Sequence, residues 1–102
     1  MPASGFIQRT IDAWQTLVAD APALAASSTV RRSADETKAV VEIETPSHTA
    51  LIELWEHASC LDTTILKSGE ERGVILAAGL CTSESEAIAR LVQLKRMLIE
   101  VE

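Results

Sequence analysis

Apolar residues recur along this chain with two periods, and the change of period divides it into helices and strands. Between Gly5 and Ala21 the stripe positions are Ile7, Ile11, Trp14, Val18 and Ala21, stepping by four, three, four and three. That spacing draws one line along an α-helix, which Phe6 and Leu17 widen. Gln8, Arg9, Asp12, Gln15 and Asp20 take the opposite side. Ser4 is placed to cap the start. Pro22 ends the helix, because the residue before a proline is pushed out of the α region.

After a small-residue connection from Ala23 to Ser28, with room for a short extra turn, the period drops to two. Ser28 to Ser33 is a weak strand with Val30 as its one large apolar side chain. Thr37 to Glu44 is stronger: Val41 and Ile43 share a face, and Val40, Glu42 and Glu44 share the other. Thr45-Pro46-Ser47-His48 is a turn. From Thr49 to Trp55, Ala50, Ile52 and Leu54 form an inward face, so Leu51, Glu53 and Trp55 point outward. From Cys60 to Leu66, Leu61, Thr63 and Ile65 alternate with Cys60, Asp62 and Thr64. Ser68 to Gly73 is a polar turn. Val74 to Cys81 is nearly all apolar, which predicts a central strand covered on both faces.

The helical period returns near Ser83. Ser83 and Glu86 form a capping box. Ala87, Leu91, Leu94, Leu98 and Val101 make the buried stripe, with Ile88 beside it, and Glu86 precedes Arg90 by one helical turn. The expected fold over residues 1–102 is therefore one α+β domain. It has an N-terminal helix, an antiparallel meander of four to five strands and a C-terminal helix, with both helices on one sheet face. The other face then carries Leu51, Glu53 and Trp55. Leu and Trp beside carboxylates on an open face suit a protein partner.

Composition narrows the function classes. Hydrophobic residues make up 47% of the chain, which argues against disorder. The aromatics are Phe6, Trp14 and Trp55, so the core must be aliphatic. Trp14 lies on the apolar stripe of its helix and reads as core. Trp55 has two readings, core residue or partner-facing anchor. Fifteen Asp and Glu against nine Lys and Arg give a net charge of −6. That balance opposes nucleic-acid binding, which depends on neutralising phosphates. It permits a basic protein partner, although acidity also serves solubility. No apolar run approaches the ~20 residues a membrane helix needs. Met1-Pro2-Ala3-Ser4 lacks the basic start of a signal peptide. Two cysteines without a secretion signal are expected as free thiols in the cytoplasm.

Chemistry is sparse. His57 and Cys60 have a ligand-like spacing, and Cys81 or His48 would have to complete a metal site. The competing reading makes both cysteines small apolar fillers. A Cys60 nucleophile would need His57 as base and a third group to orient it. Glu70 and Glu71 are adjacent acids in a solvated turn, whereas paired catalytic acids need burial or mutual shielding. No phosphate loop, nucleophile elbow or helical metal-binding motif occurs. The expectation is no catalytic residue, no metal and no cofactor.

Ile52-Glu53-Leu54-Trp55-Glu56, followed by Leu61-Asp62, Ser68-Gly69-Glu70 and the Ser83–Glu86 helix start, resembles immunity proteins of the TriTu family. The resemblance covers about half of the chain. It implies a partner toxin carried on Rhs-type effectors of type VI secretion systems. That toxin class comprises ADP-ribosyltransferases acting on elongation factor Tu, which the immunity protein binds and blocks. The expected partner surface is Leu51, Glu53, Trp55 and Glu56. The alternative is a small acidic type III secretion chaperone holding an effector segment.

Overall fold

The computed structural model describes residues 5–100. The elements run α1 (Phe6–Leu17), α2 (Pro22–Ala26), β1 (Ser28–Arg32), β2 (Lys38–Glu44), β3 (His48–Trp55), β4 (Cys60–Lys67), β5 (Val74–Ala77) and α3 (Glu84–Glu100). The strands form one antiparallel meander in the order β1-β2-β3-β4-β5. Helix α1 lies across β2 and β3, α3 across β4 and β5, and the two helices touch each other. The α+β arrangement expected from the periodicity is the one observed.

Period two decides what each strand buries. Ala39, Val41 and Ile43 of β2, Ala50, Ile52 and Leu54 of β3, and Leu61, Thr63 and Ile65 of β4 all face the helices and are buried. Register carries the alternation across the sheet, with Val41 opposite Ile52 and Ile52 opposite Thr63. Ile7, Ile11, Trp14 and Val18 meet that layer from above, as do Ala87, Leu91, Leu94 and Leu98. Trp14 is 1% exposed, and its indole N–H donates to Ser28 Oγ at 3.1 Å. A buried Trp that keeps its hydrogen bond contributes its large apolar area without a polar penalty.

Helix α1 supplies no side-chain cap at either end. Its N-cap is Gly5, which has no side chain to offer, and its first turn holds no acid and its last turn no base. Glu56, at the end of β3, accepts from the Ile7 N–H at 3.2 Å. Lys95 of α3 donates to the Leu17 carbonyl at 2.6 Å and to Asp20 at 2.8 Å. An anion at the N-terminus and a cation at the C-terminus both complement the helix dipole. The capping expected from Ser4 falls outside the described residues, as does Val101 on the last stripe. The helix ends at Leu17, four residues before the expected Ala21. Pro22 opens α2 at its first position, where its missing N–H costs nothing.

The start of α3 follows its sequence signal with one shift. Ser83 Oγ accepts from the Glu86 N–H at 3.1 Å, while the Glu86 carboxylate turns back to the Thr82 N–H at 2.9 Å. Those Thr82 hydrogen bonds, more than Arg90, hold the Glu86 carboxyl below its usual range. At the β1–β2 turn, Asp35 accepts from Ser33, the Thr37 hydroxyl and the Thr37 N–H, which lowers its carboxyl to about 2.

The expectation for Val74 to Cys81 is corrected. This segment is not a central strand covered on both faces. Its strand is four residues long and lies at the sheet edge, with Val74 and Ile75 exposed. A bulge between Thr63 and Thr64 and the positive φ of Gly79 stop regular pairing. Unbroken apolarity is the usual mark of a strand buried on both faces, and here it has another cause.

Two stability outcomes follow. Leu91→Ala and Leu94→Ala should each cost about 2–5 kcal/mol in equilibrium denaturation, as fully buried Leu truncations do. A loss under about 1 kcal/mol at both sites would contradict the packing. Thr63 Oγ1 is the one buried side-chain polar atom without a hydrogen-bond partner among the described residues. Thr63→Val keeps the shape and removes that unmet group, so the same measurement should show no loss of stability.

Candidate protein-binding face

Two helices cover one side of the sheet, and the alternation that fills that side leaves a second set of side chains on the other. Register places Lys38, Val40, Glu42 and Glu44 of β2 beside Thr49, Leu51, Glu53 and Trp55 of β3. Cys60, Asp62, Thr64 and Leu66 of β4 follow, then Ile75 of β5. Three of the four expected partner-binding residues, Leu51, Glu53 and Trp55, therefore share this face, each partly exposed.

Glu56 does not join them. The alternation that turns Trp55 outward turns Glu56 inward, where its carboxylate caps α1. Its fit there is close: a Cβ added at Gly5 would collide with Glu56 Oε1. Glu56, expected as an acid flanking Trp55, thus lies off the open face and caps α1. Period two contained the signal for this, since Leu54, Trp55 and Glu56 must point in, out and in.

Charge on the open face is unequal. Glu42, Glu44, Glu53 and Asp62 stand against Arg31 and Lys38. Both cations are engaged, Arg31 with Glu42 at 3.5 Å and Lys38 with Glu53 at 3.7 Å. These are exposed pairs and add little stability. Glu53 and Asp62 are directly opposite on neighbouring strands, an unfavourable arrangement for like charges. Lys38 Nζ also lies 4.9 Å from the centre of the Trp55 ring, within cation–π range. Beside the ring is a groove of about 490 Å³, lined by Thr37, Trp55, His57, Cys60, Asp62 and Gly79 among others. Asp62 Oδ1 accepts from the Gly79 N–H at 2.9 Å and fixes the groove's far wall. An aromatic ring with an adjoining hollow and acids around it can hold an apolar or cationic side chain of another protein.

The candidate ligands do not converge. His48 begins β3 and lies buried beside Ser47, at the opposite end of the strand from Trp55 and its register partner Cys60. His57 is exposed on the turn after β3. Among the described residues no three His, Cys, Asp or Glu side chains come together around one point. Cys60 and Cys81 are free thiols, and burial pushes the Cys81 thiol up, away from the reactive thiolate. Glu70 and Glu71 are exposed in their turn.

Arg90 was not expected in a structural role beyond its pairing with Glu86. One of its guanidinium nitrogens donates to the Leu61 and Gly79 carbonyls at 2.8 and 2.9 Å. The other reaches the Leu80 carbonyl at 3.1 Å and Glu86 at 2.8 Å. This fork ties α3 to the strand end that borders the groove. No helix among the described residues is long and apolar enough to cross a membrane. Comparison of the chain with protein-family models, curated proteins and solved structures finds no match.

The split between Trp55 and Glu56 can be measured. Glu56→Ala should lower stability by about 1 kcal/mol, the usual cost of losing an N-terminal cap, and should do so without exposing new apolar surface. Chemical denaturation is the readout. An unchanged midpoint would return Glu56 to the list of surface acids.

Proposed function

We propose that this domain is an immunity protein that binds a cognate antibacterial toxin in the cytoplasm and blocks it by occlusion. The observation that carries the reading is the uncovered sheet face on which Trp55 and Leu51 sit among unbalanced carboxylates. The resemblance of the Ile52–Glu56 stretch to the TriTu immunity family supports it and supplies the toxin class, an ADP-ribosyltransferase acting on elongation factor Tu. A toxin that leaks is lethal to its producer, so the complex must be tight. Nanomolar binding corresponds to about −12 kcal/mol. A standard interface takes ~800 Å² from each partner.

In this reading Trp55 is the anchor and the acids guide the encounter. The toxin places a side chain in the groove beside the indole ring. Basic groups around it meet Glu53, Asp62 and Glu42, relieving the crowding of like charge between Glu53 and Asp62. Lys38 is the internal cation they displace from the Trp55 ring.

The test is binding kinetics with a candidate toxin domain from a neighbouring reading frame, at two ionic strengths, with thermal melts as control. Trp55→Ala should weaken the complex by about 2 kcal/mol or more while the domain stays folded. Glu53→Lys should chiefly slow association and flatten its dependence on salt. Full protection against the toxin by a folded Trp55→Ala, Leu51→Asp double variant would remove the open face from the mechanism.

A further inference from the structure

The three most exposed large apolar side chains among the described residues are Ile75 at 68%, Leu80 at 60% and Val74 at 57%. All three belong to the segment from Val74 to Leu80, which contains no charged residue. Its strand, β5, is last in the sheet order and has β4 on one side only. The bulge adds a residue to this segment, so Ile75 stands opposite Thr64 and Leu80 opposite Cys60. Both large side chains thereby reach the open face. The other edge is different: β1 presents Arg31 and Arg32, both exposed. Charge is a common guard against strand addition, and here one edge has it and the other does not.

We propose that β5 is an interface for a second copy of this chain, pairing antiparallel with itself about a two-fold axis. The inference rests on the edge and is independent of the immunity reading. A strand paired with its own copy forms an isologous contact that closes after one addition. Joining β5 to the β1 of another copy would instead run on without closure, and Arg31 and Arg32 oppose it. Self-pairing sets uncharged residues against uncharged residues and brings the two Ile75 side chains together. It places the helices of both copies on one side of a continuous sheet and both open faces on the other.

The size of the contact sets its strength. A four-residue strand and a few side chains fall short of the ~800 Å² per partner of a standard interface, so the dimer is weak and concentration-dependent. Each copy carries a net charge of −6. Added salt screens that repulsion and leaves the apolar contact in place, so ionic strength should favour the dimer.

Sedimentation equilibrium of the full chain over a wide concentration range decides the matter. The average mass should climb toward twice the monomer mass and no further, and at lower protein concentration in high salt than in low salt. Ile75→Lys should remain monomeric with an unchanged melt. Trp55→Ala, on the same face but in β3, should associate like the parent. Amides of β5 should exchange more slowly in the concentrated sample than in the dilute one. A monomer at every concentration, growth beyond a dimer, a dimer indifferent to Ile75→Lys, association lost with Trp55→Ala, or unchanged β5 exchange would each overturn the proposal.

Discussion

Coverage of the sheet from one side is the constraint on which the rest of this molecule depends. Five strands about 4.8 Å apart make a sheet roughly 19 Å wide. Two helices, each about 10 Å across, suffice to cover one face of it. With both long helices spent there, strict alternation along β2, β3 and β4 becomes obligatory. One set of side chains must be aliphatic enough to meet Trp14, Leu91, Leu94 and Leu98, and the other must tolerate exposure. The open face is therefore a product of the architecture, and its composition is free to serve recognition.

The use made of that freedom is uneven. A face concerned only with solubility would be polar throughout. This one keeps Val40, Leu51, Trp55 and Leu66 partly exposed and places Glu53 opposite Asp62. Exposed apolar side chains and crowded like charges both raise the energy of the free protein slightly, and a partner of the proposed kind would relieve both. The groove wall depends on the tie from Arg90 to the Gly79 and Leu80 carbonyls. The geometry beside Trp55 is thus anchored in α3 on the far side of the sheet. A lysine could not make the same connection, because it lacks the planar fork.

Much of the fold was legible because period carries it. The steps of four and three placed Trp14 and Leu94 in the core, and alternation oriented the strand residues from Val40 to Glu44, from Ala50 to Trp55 and from Cys60 to Ile65. The same alternation, continued one residue past Trp55, would have turned Glu56 inward. It was missed because Glu56 lies beyond the last strand residue, where its acidity outweighed its phase. Val74 to Cys81 misled for a different reason. Continuous apolarity signals two-sided burial only when a sheet has layers on both sides, and the layer count is a tertiary property. Arg90 offered only its helical spacing from Glu86. Its three carbonyl partners lie 10, 11 and 29 residues away, and no local rule reaches them.

The borrowed caps of α1 bear on how the domain comes together. A twelve-residue helix is marginal in isolation, because the cost of nucleation is barely recovered over so few turns. This one has no charged terminal partner of its own: its anion comes from the end of β3 and its cation from α3. Its helicity is conditional on elements far along the chain. Contacts among β2, β3 and β4 close across short turns at little entropic cost, whereas the bond from Lys95 to Leu17 spans 78 residues. The N-terminal helix is therefore held by its buried stripe of Ile7, Ile11, Trp14 and Val18 and by caps lent from two distant elements, so its helicity is a product of the assembled fold and not of its own sequence.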